Sequence, residues 1–326
     1  MIRLGTVGTS NICHSFIGGA NLTKEFVLSA VYSRNFDTGL EFAKEHNCNK
    51  VYNDLLEMAK SSDIDAVYIA SPNSLHYEQS KVFLENGKHV ICEKPIVTKL
   101  SEYEELKELA DSKKLIYMEA IIPRHHKERK NIISALDEIG DIRMARIDFN
   151  QRSSRLDSFL NGEKVNIFDM SLKAGTLMDI GVYCVYGAVD LFGIPNSIIA
   201  SANFFENGAD STGQAIFDYG DFSAILTYGK NGQGAIGSEI IGDKGVIKIP
   251  YISRYTGVSL VKDGEEKLLT NDYSKEEIMS FEAQRFADYI LRFKENKEDY
   301  EEISSLCTDV HYCMDRIKEK ANIKYN

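Results

Sequence analysis

The residue with the clearest capacity for chemistry is Lys94, set in Glu93-Lys94-Pro95 at the end of a short apolar run. A lysine at the C-terminal edge of a parallel strand faces the crevice in which a dinucleotide lies. An ammonium that loses water beside a second cation has its pKa lowered toward working pH. It can then take a proton from a hydroxyl, or return one, as a hydride leaves or arrives at the carbinol carbon. Taken alone, the same tripeptide is also an ordinary surface turn.

A dinucleotide needs a cradle, and Gly5-Thr6-Val7-Gly8-Thr9-Ser10-Asn11-Ile12-Cys13 offers a degenerate one. Against the pattern G-x-G-x-x-G/A, Gly8 matches, while Ser10 and Cys13 stand at the second and third glycine positions. The first glycine serves the tight turn, and the second lets the backbone approach a pyrophosphate at a helix N-terminus. Serine is small and still offers donors, so Gly8, Thr9, Ser10, Asn11 and Ile12 are the candidate phosphate contacts. A plain strand-turn-helix reads the same way. The following strand ends Ser33-Arg34-Asn35, without the acid that a NAD-binding unit places there for the ribose 2′-hydroxyl. An arginine at that tip can pair with a 2′-phosphate through its planar fork. Ser33 and Arg34 therefore favour NADP(H), with NAD(H) possible, and a solvated loop arginine is the alternative.

Ser71, Pro72, Asn73 and His76 are further candidate cofactor contacts, and His76 is better suited to capping or packing its helix than to catalysis. Asp179 and Tyr183 stand four apart on an expected helix and so share a face. The tyrosine hydroxyl can donate to a carbonyl oxygen, and the aspartate can orient a hydroxyl and the lysine. A half-buried amphipathic pair has the same spacing. Arg124 and Arg152 are candidate substrate contacts, although Arg124 could equally pair with an acid. The adjacent His125 and His126 cannot point the same way and have no nearby carboxylate, so no metal is expected.

The elements that must position these residues are legible in outline. Ile2–Val7, Phe26–Tyr32, Ala66–Ser71 and His89–Glu93 read as buried parallel strands, separated by amphipathic stretches at Asp37–His46 and Leu75–Asn86. A capping box of Ser101 and Glu104 opens a helix to Lys113, and Leu115–Ile122 reads as another strand. Such alternation implies right-handed βαβ units. From about Gly140 the texture changes to strands at 141–151, 197–205, 214–219, 222–228, 235–241, 245–249 and 258–262, with turns such as Tyr219-Gly220-Asp221 between them. Helices are expected at 176–192, 274–295 and 301–322, with the acidic run Glu295–Glu302 as a solvated connection. The expected fold class is α/β: a Rossmann domain with a parallel sheet over residues 1–120, then an α+β domain with a large open antiparallel sheet over 121–326.

The ordered set of Ser71-Pro72-Asn73-x-x-His76, Gly87-Lys88-His89-Val90 and Glu93-Lys94-Pro95 resembles the glucose-fructose oxidoreductase / inositol dehydrogenase / rhizopine-catabolism (GFO/IDH/MocA) family. The resemblance resumes at Met118-Glu119-Ala120, at Gly175-Thr176-Leu177-Met178-Asp179-Ile180-Gly181-Val182-Tyr183, at Ile241-Gly242-Asp243-Lys244-Gly245 and in the tail Ala321–Tyr325, so it spans nearly the whole chain. It implies a sugar, polyol or related diol or carbonyl substrate, a nicotinamide cofactor bound near Glu93 and Lys94, and a Lys94–Pro95 bond that is often cis in the family. It also implies Asp179 and Tyr183 beside the substrate, in the branch with Asp-x-x-x-Tyr, and a homodimer or higher oligomer through the open sheet. Some members of such a fold are non-catalytic nucleotide-binding sensors. The presence of Lys94, Asp179 and Tyr183 together favours an enzyme.

Composition narrows the remaining classes. With 43% apolar and 27% charged residues the chain matches an ordinary globular protein. A net charge of −11 argues against a nucleic-acid partner, since a phosphate backbone wants a basic face. No apolar run is expected to span a bilayer. The six cysteines, Cys13, Cys48, Cys92, Cys184, Cys307 and Cys313, lack metal-ligand spacing and suit reduced thiols in the cytoplasm.

Overall fold

Runs of Val, Ile, Ala and Tyr with no polar face build the first sheet, because helices on both sides leave such strands without water. In the computed structural model, which describes residues 1–325, these are β1 (Ile2–Val7), α1 (Asn11–Thr23), β2 (Phe26–Tyr32), α2 (Phe36–Glu45), β3 (Val51–Tyr52), α3 (Leu55–Lys60), β4 (Ala66–Ile69), α4 (Asn73–Glu85), β5 (His89–Glu93), α5 (Leu100–Ser112) and β6 (Tyr117–Ala120). All five pairings are parallel, in the order β3-β2-β1-β4-β5-β6. The chain winds outward from β1 to β3, then returns to the other side of β1. That reversal leaves a crevice past the carboxyl ends of β1 and β4. β1, β2 and β5 end where the apolar runs do. β3 is too short to show a pattern. At α5 the expected box of Ser101 and Glu104 is corrected: Glu102 is the acid, accepting from the Thr98 and Lys99 amides and the Thr98 hydroxyl.

The chain continues through α6 (Ile122–His125), α7 (Arg129–Glu138), β7 (Ile142–Asn150), α8 (Leu156–Leu160), a π-helical segment at Leu177–Gly181, α9 (Val182–Phe192), β8 (Ser197–Phe204), β9 (Asp210–Asp218), β10 (Ser223–Gly229), β11 (Ser238–Gly242), β12 (Val246–Ile249), β13 (Ser259–Lys262), β14 (Glu265–Leu268), α10 (Lys275–Leu291) and α11 (Phe293–Lys320). The eight strands from β7 to β14 form one sheet ordered β14-β13-β12-β11-β7-β10-β9-β8. It is antiparallel except for β7 and β10, which run parallel. On β9, Ala215 and Phe217 are buried while Gln214 and Ile216 face out, the period-two alternation of a sheet covered on one side.

The chain divides into two units: Met1–Ile122 with Ser274–Ser305, and Pro123–Tyr273 with Leu306 onward. This differs from the expected continuous division near 120. The physical reason is α10, whose Met279, Ala283, Phe286 and Ala287 complete the apolar core of the first unit around Phe16, Ala20 and Phe26. Gly19 of α1 permits the approach, since a Cβ there would lie 2.7 Å from the Ser280 amide nitrogen. The acidic run at 295–302 is not a connection but the first part of α11, and the break between the last helices falls at Arg292. By length and composition Met170–Phe192 is apolar enough to cross a membrane, but 72% of its most apolar eighteen-residue window is buried inside the protein, as in a core helix.

Candidate functional site

In the first unit the carboxyl ends of β1, β2, β4 and β5 bring Gly8–Ile12, Ser33–Arg34, Ser71–His76 and Glu93–Lys94 to one edge of one sheet. Gly8 has φ +115°, and a Cβ on it would lie 2.9 Å from the Ala70 carbonyl oxygen, so only glycine fits. Ser10 stands at the N-cap of α1 without a side-chain cap bond, and the first turn has no acid. The leading amides of α1 therefore face outward at the positive end of the helix dipole, as an anion requires. Arg34 is exposed and makes no hydrogen bond or ion pair among the described residues, while Ser33 beside it is buried. These residues fit a dinucleotide carrying a 2′-phosphate: a bare turn, a helix N-terminus and an uncommitted guanidinium.

The turn that holds Lys94 is fixed from three sides. The Lys94–Pro95 peptide is cis. His76, buried, places its two ring nitrogens 2.8 Å from the carbonyl oxygens of Pro95 and Ser71. Burial pushes the His76 pKa down against the upward pull of those carbonyls. Glu119 of β6 accepts from the Ile96 amide at 2.9 Å, and the Tyr68 hydroxyl donates to Glu93 at 2.5 Å. Burial raises the Glu93 pKa, while the Lys94 ammonium and the Tyr68 hydroxyl pull it down. Glu282 of α10, fully buried, is pushed well above the usual carboxylate range by burial and by Glu93. His76, expected as a cofactor contact that also caps or packs its helix, bonds the backbone on both sides of the crevice turn. The sequence did not single out Tyr68 or Glu282, and it offered Glu119 without a role.

In the second unit Asp179 lies in the π-helical segment and Tyr183 in the first turn of α9. The wider π turn changes the helix under Asp179, so the simple four-residue spacing of an α-helix is not what relates them. The Asp179 carboxylate pairs with the Lys230 ammonium. Lys230 is buried, and its backbone is bonded to Ser211 and Ser153, joining the ends of β9 and β10 to the loop after β7. No sequence signal singled out Lys230, which follows a strand and opens a glycine-rich loop. The Tyr183 ring meets Phe149 edge-on, with centroids 5.8 Å apart. Arg124 takes the second of its two alternatives: its Nε lies 3.7 Å from Asp190, which Arg129 grips at 2.6 and 2.7 Å. Arg152, offered as a substrate contact, is exposed and forked onto Asp157 at 2.6 and 3.1 Å.

Comparison with known proteins places the chain among oxidoreductases. A family model described as an oxidoreductase family with an NAD-binding Rossmann fold matches residues 2–121, and one for the GFO/IDH/MocA C-terminal domain matches residues 130–248. The scyllo-inositol 2-dehydrogenase (NADP(+)) IolU of Bacillus subtilis is 40% identical over 304 residues, covering 93% of this chain and 91% of that protein. The trans-1,2-dihydrobenzene-1,2-diol dehydrogenase of Xenopus tropicalis is 27% identical, covering 81% of each. Among solved structures, levoglucosan dehydrogenase with NADH and levoglucosan matches with a TM-score of 0.84 at 19% identity, over 98% of this chain and 97% of that one. At that identity the likeness is one of fold.

Replacing Lys230 by Met takes the ammonium from a part-buried carboxylate. We expect a loss of about 1–3 kcal/mol in urea unfolding, between the values for surface and buried pairs. Lys230→Met/Asp179→Asn should regain part of it. Equal stability of the wild type and the single variant would show that the pair holds nothing.

Proposed function

The chain belongs to the GFO/IDH/MocA oxidoreductase family, and from that premise we propose that it is an NADP(H)-dependent dehydrogenase or reductase of a sugar, polyol or related diol or carbonyl compound. The observation that carries the reading is Lys94, pinned at the same sheet edge as the Gly8 turn and the uncommitted Arg34. The relative that is named for NADP+ and scyllo-inositol makes that polyol the first substrate to try.

When bound, the nicotinamide cofactor supplies or accepts the hydride. The chain does the rest. The turn at Gly8 and the opening amides of α1 bind the pyrophosphate. Arg34 forks onto the 2′-phosphate. Lys94 takes the hydroxyl proton in oxidation and returns it in reduction. Asp179, oriented by Lys230, and the Tyr183 hydroxyl are assigned to the substrate's oxygens.

We also infer that a second copy covers the open sheet. Ile225, Ile216 and Ile199 pair in register across β10, β9 and β8, and Ile199 and Ile216 are 67% and 41% exposed. The six free, buried cysteines suit a cytoplasmic address.

Lys94→Met should lower kcat for NADP+ reduction by about 10²- to 10⁴-fold. NADPH affinity, read from nicotinamide fluorescence, should change little, and comparable turnover would remove Lys94 from the mechanism. Arg34→Asp should weaken NADPH roughly 10- to 100-fold and favour NADH, in line with loss of a charge-assisted contact. Unchanged NADPH affinity would show that Arg34 does not meet the 2′-phosphate. Light scattering should find a dimer or larger oligomer that Ile216→Arg breaks up; a monomeric wild type at micromolar concentration would refute the interface.

A further inference from the structure

The segment bearing Asp179 and Tyr183 rests on a group of buried oxygens that no step above uses. Asp210, at the start of β9, is fully buried. Its Oδ2 accepts from the Leu177 amide at 2.6 Å. The Thr176 hydroxyl reaches the backbone oxygens of Asp210 and Ser211 at 2.7 and 3.1 Å. These bonds fasten the opening of the π-helical segment two residues before Asp179. An acid that accepts from an amide at a helix start also complements the helix dipole, most strongly when ionised.

The other carboxylate oxygen, Oδ1, has no hydrogen-bond partner among the described residues, and neither have the buried hydroxyls of Tyr228 and Tyr325. Oδ1 and the Tyr325 hydroxyl converge on one glycine. A Cβ on Gly175 would collide with Asp210 Oδ1 and would lie 3.5 Å from the Tyr325 hydroxyl. A Cβ on Gly181 would lie 3.0 Å from the Tyr228 ring. The glycines at either end of Gly175-Thr176-Leu177-Met178-Asp179-Ile180-Gly181 are thus required by what packs beneath them.

Burial pushes the Asp210 carboxyl up to about 6, against the downward pull of the Leu177, Asp210 and Thr176 amides. Tyr228 and Tyr325 face it, both driven well above the usual phenol range by burial. Lys230, the ammonium just past β10, is paired with Asp179 instead. Since the folded pKa lies above the ordinary 3.8, this group favours folding most at low pH and loses that contribution as pH rises through about 6. At neutral pH Asp210 is largely ionised in a place where a neutral side chain would be more stable. Such a stability deficit is characteristic of residues kept for function.

We propose that Asp210 is a positioning residue for the reaction assigned above: it holds the Thr176–Leu177 turn, and through it Asp179 and Tyr183, while Tyr325 of the C-terminal tail closes over its second oxygen. The proposal rests on the oxidoreductase reading only for its kinetic consequence.

The test uses the full chain with Asp210→Asn, and Tyr325→Phe as a second variant. At pH 7.5 Asp210→Asn should raise Tm by about 2–4 °C, yet speed amide hydrogen exchange over residues 176–183 about tenfold. Its kcat should fall roughly tenfold with KM for NADP+ unchanged. Wild-type kcat should decline as pH drops through about 6, and the variant should lack that step. Tyr325→Phe should speed the same local exchange without lowering Tm. Exchange over 176–183 that is unchanged in both variants overturns the proposal. Faster local exchange in variants of a chain that turns over no polyol, sugar, diol or related carbonyl compound upholds the positioning role and rejects the oxidoreductase reading.

Discussion

The proton transfer proposed for Lys94 depends on how the chain is pinned just past β5. A lysine on a strand end is a flexible cation, and it can serve one proton transfer only if the backbone that bears it cannot wander. The Pro95 carbonyl is held by His76, the Ile96 amide by Glu119, and the preceding carboxylate by Tyr68. Those partners come from α4, β6 and β4, all of them in the first unit. The parallel sheet therefore does more than present Lys94; its neighbouring elements supply His76, Glu119 and Tyr68 to the turn.

The second unit follows the same logic with different parts. Its sheet buries one face under α9, and the ends of β9 and β10 supply Asp210 and Lys230 to the segment that opens this helix. One acid binds the Leu177 amide, and one ammonium binds the Asp179 carboxylate. Both supporting groups are buried, so each contact acts in a medium that screens it weakly. A charge in such a place is expensive: the Asp179 carboxylate has an ammonium beside it, while the Asp210 carboxylate accepts from a backbone amide.

Much of this was legible in the residues. The parallel strands were, because buried β-branched runs of five to seven residues have few other uses, and the ends of β1, β2 and β5 coincide with the apolar runs. The Gly8 turn and the tip at Arg34 were legible because φ and charge at those positions are local demands. What stayed hidden depends on contacts between distant segments. α10 looks like any amphipathic helix until Gly19 of α1 is seen to admit its backbone. Lys230 carries no pattern, since its partner is fifty-one residues away. Arg152 looked available for substrate because the short helix α8, which carries its partner Asp157 five residues on, was not expected from the sequence.

The most direct measurement of the central claim is isotope transfer. The purified chain would be incubated with NADP+ and scyllo-inositol or another polyol deuterated at its carbinol carbons, and the recovered dinucleotide analysed by mass spectrometry and proton NMR. One deuterium should be carried directly to the nicotinamide C4, at a rate that Lys94→Met lowers by orders of magnitude. Tight NADPH binding with no label transferred from any polyol, sugar or diol offered would contradict it, and would identify a protein that senses the dinucleotide without reacting it.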